Sequence, residues 1–178
     1  MKRLAALLIS CLLLTASLPA GAEARAEDVF FEGAVFIGDS IMQQIGRYKM
    51  EQEERGRPVL GKAHFMAVSS YTLYQGSRIA PLKHKAALRY AGEKVSLADA
   101  LHKMEAKKAF ILLGLNDRAG TQLSQEMLMY RRLIQRALDR NPGLEMVILS
   151  VTPITKGGQT RYLKQENFDA FNRRLERL

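Results

Sequence analysis

Ala34-Val35-Phe36-Ile37-Gly38-Asp39-Ser40 sets the architecture of this chain. A short unbroken apolar run with β-branched Val35 and Ile37 reads as a strand buried on both faces. The segment from Ile41 to about Arg55 reads as a helix, with Ile41, Ile45 and Tyr48 on one face. The strand therefore passes into the helix through Gly38-Asp39-Ser40 alone. Gly38 permits a tight turn that a side chain would obstruct. Ser40 falls at the helix N-terminus, where free backbone N–H groups favour developing negative charge. Asp39 or Ser40 acting only as a helix cap is the competing reading.

The same alternation continues along the chain. Val59 to Val68 holds a second strand, and residues 69–95 read mostly as loop with some helix and a Lys83-His84-Lys85 basic patch. Ser96-Leu97-Ala98-Asp99 resembles a capping box, followed by Leu97, Leu101 and Met104 on one helical face. Ala109 to Leu113 is a third strand. A helix over Ser124 to Arg140 turns Met127, Tyr130, Ile134 and Leu138 inward, and Asn141-Pro142-Gly143 stops it. Met146 to Val151 is a fourth strand, ended by Thr152-Pro153, and Phe168, Phe171 and Leu175 mark a last helix. Strands alternating with helices predict an α/β fold with a parallel sheet covered on both faces. Ligands in such folds bind beyond the carboxyl ends of the strands.

Gly114-Leu115-Asn116-Asp117 follows the third strand. If strands one and three are neighbours, the Asn116 amide can face Ser40. A serine with a convergent amide donor is the minimum of a nucleophile and an oxyanion hole. A plain Asn/Asp turn is the alternative for Asn116.

With these two blocks in place, the chain resembles the SGNH/GDSL hydrolase superfamily of serine esterases and lipases. Gly38-Asp39-Ser40 matches its first block and Gly114-Leu115-Asn116-Asp117 its third. Ser150-Val151-Thr152-Pro153 and Phe171-Asn172 are weaker echoes. The resemblance runs from about Val35 to Leu178. It implies a flavodoxin-like three-layer α/β/α sandwich, Ser40 as nucleophile, and an oxyanion hole containing the Ser40 N–H and the Asn116 side chain. Gly38, Asp39, Gly114 and Asp117 are then supporting residues.

The chain departs from the family in two places. The second block supplies a glycine N–H to the oxyanion hole, whereas Ala67-Val68-Ser69-Ser70-Tyr71 stands there. A main-chain N–H at Ser69 is the expected substitute, with Ser70 or Gly76 as alternatives. The fifth block, Asp-x-x-His, supplies the base and its orienting acid, and none lies between Val151 and Leu178. The expectation is a C-terminally incomplete sequence, lacking its last strand, with the base beyond Leu178. Asp99-Ala100-Leu101-His102 has the right spacing but lies within a helix before the third strand. His64, beside the second strand, and His84, in the basic patch, are no better placed.

Met1-Lys2-Arg3, the apolar run Leu4 to Leu18, and the small-residue triplets Ala20-Gly21-Ala22 and Ala24-Arg25-Ala26 form the pattern of a secretory signal peptide. The run is short of the about 20 residues a spanning helix needs. Residues 1–26 are thus expected to be a leader and 27–178 the folded domain. Ser10-Cys11 loosely fits a lipoprotein box, but the apolar stretch continues through Leu14. With 178 residues, 47% hydrophobic and 25% charged, the chain has material for one ordinary domain. A single cysteine excludes a disulfide framework, and 3 histidines leave little for a metal site.

The formal charge of +9 suits anionic neighbours such as envelope polymers or lipid head groups. Nucleic acid is not expected, because the basic residues are dispersed and no aromatic stacking motif accompanies them. The expected function is an exported or envelope-associated serine esterase acting on small-molecule, glycan or lipid acyl esters, with no cofactor and no metal. A non-catalytic binding or cell-wall module on the same fold is the alternative. Tyr71, Tyr74 and Tyr90 either line a pocket or simply pack.

Overall fold

Alternate side chains of a strand point to opposite faces, and the central strands of this protein supply apolar residues to both. In the computed structural model, which describes residues 25–80, 86–118, 120–160 and 163–178, β1 (Ala34–Gly38) is buried at every position. It pairs in parallel with β2 (His64–Ala67) on one side and β5 (Lys108–Leu112) on the other. β6 (Glu145–Ile148) adds to β5, also in parallel, giving the order β2-β1-β5-β6. Parallel neighbours need crossovers. α2 (Ser40–Glu54) carries β1 to β2, and α5 (Leu123–Arg140) carries β5 to β6. This is the layered α/β fold expected from the sequence, with a four-stranded parallel sheet.

Val35, Ile37, Ala109 and Ile111 face one layer. It is built from α4 (Leu97–Lys103), α5 and α6 (Gln165–Leu175), which contribute Leu97, Leu101, Tyr130, Leu133, Phe168 and Phe171. Ala34, Phe36, Phe110 and Leu112 face the other layer, against Met42 of α2. On that face Phe65, Phe36 and Phe110 occupy paired register positions and stack, with centroids 4.9 and 4.5 Å apart and rings within 10° of parallel. Such cross-strand aromatic contacts pin the register of three strands. Gly46 lets α2 lie on this stack, since a Cβ there would stand 3.0 Å from the Phe65 ring.

Two helical faces differ from expectation. On α2 the buried positions are Met42, Gly46, Lys49 and Gln52, while Tyr48 is exposed. Lys49 is tolerated because its ammonium pairs with Glu53 one turn on. On α5 the buried stripe is Glu126, Tyr130, Leu133 and Ala137, and Leu138 is exposed. A carboxylate in the inward stripe rotates the face away from the one that apolar spacing suggests.

The segment 69–95 holds α3 (Leu73–Gly76), with a Thr72/Gln75 capping box. It also holds a small hairpin of β3 (Arg89–Tyr90) and β4 (Glu93–Lys94). Ala91 and Gly92 at its tip both have positive φ, 48° and 84°, as a two-residue type I′ turn requires. A short helix, α1 (Ala26–Phe30), precedes β1, and Arg25 before it bonds Asp28 and the Pro58 carbonyl. The expected leader up to position 24, including Cys11, and the Lys83-His84-Lys85 patch lie outside the described residues. No helix among the described residues is long and apolar enough to cross a membrane.

Candidate active site

β1 lies between β2 and β5, so the loops after these strands meet at one edge of the sheet. The neighbour relation that the sequence reading required of strands one and three is therefore present. Gly38 closes β1 onto α2 at a distance only glycine permits: a Cβ would stand 2.6 Å from Met42 Cβ and 2.8 Å from the Leu112 carbonyl oxygen. Asp39 is the cap of α2, its Oδ1 accepting from Ile41 N at 2.9 Å. Ser40 is the first residue of the helix and is half-buried.

Asn116 reaches back across this edge. Its Nδ2 donates to Asp39 Oδ2 at 2.9 Å and to the Tyr71 carbonyl at 3.1 Å. One amide thereby joins the ends of β1, β2 and β5. Asp117, 6% exposed, accepts from Leu73 N at 2.8 Å and from Tyr74 N at 3.4 Å, holding the start of α3. Burial pushes the Asp39 carboxyl above the usual range, and the Ile41 N–H opposes it. Burial pushes Asp117 the same way, against the Leu73 and Tyr74 N–H groups.

After β2, Val68 N donates to Gly38 O, and Tyr71 N donates to Val68 O, closing a turn that exposes Ser69 and Ser70. Ser70 has φ 61°, a left-handed conformation that glycine adopts without strain. Tyr71 is 3% exposed and belongs to the core, and Tyr90 packs against that core. Tyr74 is exposed, with the Arg78 guanidinium 5.4 Å from its ring centroid.

Residues that the sequence reading did not assign to the site stand behind the Asn116 loop. Gly114 has φ 118°, and a Cβ there would lie 2.3 Å from Phe171 Cζ, so the ring of α6 backs the loop directly. Arg118 lies over the same ring at 5.6 Å. Its Nε donates to Glu126 Oε1 at 2.9 Å, and another guanidinium nitrogen donates to Thr121 O at 3.0 Å. Glu126 is fully buried, and burial, opposed by Arg118, pushes it up to about 7. Apolar spacing gave no sign of Glu126, because its inward position is set by the packing of α5 on the sheet. Gly114→Ala should destabilise the fold by about 2 kcal/mol or more, through overpacking and backbone strain together. A urea melt checks this; an unchanged midpoint would show that Phe171 moves aside freely.

The histidines fall elsewhere. His64 opens β2, at the edge opposite Ala67. His102 lies in the last turn of α4, which leads into the start of β5 and so also stands at the opposite edge. Asp99 is held by Ser96 and Arg140. His84 lies outside the described residues. A groove of about 360 Å³ flanks Asn116, with Ile41, Leu115, Pro153, Ile154 and Leu163 as its apolar lining. Among the described residues no group of three or more His, Cys, Asp or Glu is placed to hold a metal ion.

The chain matches no protein-family model and no curated protein. Solved structures do match. A Bacteroides fragilis protein described as an acylhydrolase superposes with TM-score 0.57 at 12% identity, over 81% of this chain and 61% of its own. The chain thus spans 61% of the length of that protein. The acetyl xylan esterase AlAXEase superposes with TM-score 0.54 at 14% identity, over 81% of this chain and 72% of its own. The psychrotrophic esterase EstA from Pseudoalteromonas sp. gives 0.52 at 13%, over 82% and 72%. At these identities the likeness is one of fold alone.

Proposed function

We propose that this protein is an exported serine hydrolase that cleaves acyl esters through an acyl-enzyme at Ser40. The observation that carries the proposal is the Asn116 amide, brought from the β5 loop onto Asp39, the residue next to Ser40. Ser40 Oγ attacks the ester carbonyl, and the carbonyl carbon becomes tetrahedral. The oxyanion is met by Asn116 Nδ2, the Ser40 N–H at the start of α2 and a main-chain N–H of the 69–70 turn. Expulsion of the alcohol leaves the acyl-serine, which water hydrolyses. The Ser40 proton passes to a general base and on to the departing alcohol; the described histidines, His64 and His102, stand at the opposite edge of the sheet. No metal or organic cofactor enters this chemistry. The apolar groove beside Asn116 suits the acyl portion of the ester.

The amino-terminal leader pattern supports export, and the formal charge of +9 suits an anionic envelope surface. A solved neighbour in fold is an esterase inhibited by monoethylphosphonate. The direct test is therefore phosphonate labelling of the full-length protein, with the adduct mapped by mass spectrometry. The adduct is expected on Ser40. A folded protein that is neither labelled nor able to hydrolyse p-nitrophenyl acetate would refute the reading and favour a non-catalytic binding module.

Asn116→Ala should lower kcat by about 10²–10³-fold, the loss expected for one oxyanion donor. Because Asn116 also satisfies the buried Asp39 carboxylate, the variant should lose about 1–3 kcal/mol of stability as well, while remaining folded. Steady-state kinetics on an aryl acetate check this, and undiminished turnover would return Asn116 to an ordinary turn residue.

A further inference from the structure

Asn116 is solvent-exposed, yet its amide is fully committed. Its nitrogen donates to Asp39 Oδ2 at 2.9 Å and to Tyr71 O at 3.1 Å. A carboxylate and a backbone carbonyl are both acceptors only. Turning the amide over would lose both bonds and set its oxygen against two others. The donor end is therefore fixed in place, which solvent alone would not do for an exposed asparagine. Asp39 is itself anchored: it is 1% exposed, and its other oxygen accepts from Ile41 N at 2.9 Å. One carboxylate thus relates the helix that begins at Ser40 to the amide that would meet the oxyanion.

Resting on the serine-hydrolase reading above, we propose that Asp39 is a positioning residue that holds the Asn116 donor toward the oxyanion through the Oδ2–Nδ2 bond. The two bonds of the amide are unequal. The one to Asp39 is charge-assisted and shorter, and the one to Tyr71 is to a neutral carbonyl. An oxyanion formed on the substrate takes the N–H that Tyr71 O holds at rest, while Asp39 keeps its own. The tetrahedral intermediate thus shares or displaces the Tyr71 bond, while the Asp39 bond keeps the nitrogen end of the amide on the oxyanion side, which is the preorganisation that Asp39 supplies.

The test uses Asp39→Asn and Asp39→Ser in the full-length protein. Both residues are good helix caps, so α2 keeps its start and the melting temperature stays near that of the wild type. Asp39→Asn sets an amide donor against the Asn116 donor and turns Asn116 over. Its kcat should fall by about 10²-fold, the scale of a misplaced catalytic group, with KM unchanged. In an Asn116→Ala background Asp39→Asn should cost nothing further. In Asp39→Ser the two side-chain amide proton resonances of Asn116 should shift toward those of a solvated asparagine and exchange faster.

A wild-type kcat in Asp39→Asn, or losses that multiply in the double variant, would overturn the proposal. Unchanged Asn116 resonances in Asp39→Ser would overturn the tie itself. If Ser40→Ala retains turnover, the hydrolase reading fails and the positioning role falls with it, whatever the resonances report.

Discussion

Ser40→Ala should reduce ester turnover by about 10⁶-fold, the scale expected when a catalytic serine is removed, and should abolish phosphonate labelling. The expected size follows from the proposed role, in which Ser40 alone forms the bond to the acyl carbon. The substitution should be otherwise mild. Asp39, not Ser40, caps α2, and among the described residues the Ser40 hydroxyl makes no hydrogen bond. Alanine is a good helix former at the first helical position, so stability should stay within about 0.5 kcal/mol of the wild type. Thermal denaturation beside the kinetic assay separates the two effects. A folded Ser40→Ala protein with turnover within tenfold of the wild type would remove the serine from the mechanism. Asn116 and Asp39 would then form a structural knot at the sheet edge.

The strands were readable because their signal is local. A buried parallel strand is a short apolar run ended by a turn residue, and Ala34–Gly38 and Lys108–Leu112 appear as such. Caps were readable for the same reason: Ser96 accepts from Asp99 N at 3.1 Å, as its spacing suggested. The faces of the long helices were not, because hydrophobicity cannot tell a buried charge from a solvated one. Lys49 and Glu126 both occupy inward positions; Lys49 has Glu53 one turn on in the same helix, whereas Glu126 is permitted by Arg118 of a preceding loop, a pairing that chain order does not reveal without the fold. The hairpin at Arg89–Lys94 was missed because its strands are two residues each and its turn uses Ala91 in place of the usual Asn or Asp.

Ser40 and Asn116 could be singled out because they follow strands, and sheet order then brought them to one edge. What the sequence could not supply was the division of labour inside the motif. Asp39 stands beside a serine and looks like a cap, and it is one. Its second oxygen goes to a residue 77 positions away. Likewise Gly114 reads as a turn glycine, whereas its contact with Phe171 ties the Asn116 loop to the last helix. Such contacts depend on tertiary packing and leave no periodicity to detect.

Breaking the Arg118–Glu126 pair should have the largest effect on stability of any change near the site. Arg118 and Glu126 have side-chain exposures of 8% and 0%, and their charged groups approach to 2.5 Å. Removing Glu126 leaves the Arg118 charge buried and unpaired, which costs about 3–5 kcal/mol, whereas without Arg118 the Glu126 carboxyl takes up a proton and the cost is smaller. For a domain of this size the larger cost is a fall in Tm on the order of 10 °C. Glu126→Leu should show it in full and Arg118→Met in part, and both should slow turnover in the proposed reaction, since Arg118 follows Asn116 and Asp117 and rests on Phe171. The double variant should recover most of the stability, because replacing a buried pair by apolar groups of similar volume is close to neutral.

Acidity offers a second handle on the same pair. Glu126 is pushed up from an ordinary 4.5 to about 7, so the native state holds this proton more tightly than the unfolded chain. The stability this contributes is full below pH 4.5 and is lost as pH rises through about 7, a change on the order of 3 kcal/mol. The difference in unfolding free energy between wild type and the Met/Leu variant should therefore shift in the variant's favour across that window. Chemical denaturation at several pH values measures it. A difference that stays flat from pH 4.5 to 7 would mean that Arg118 keeps Glu126 ionised throughout, and that burial is the weaker of the two influences on its carboxyl.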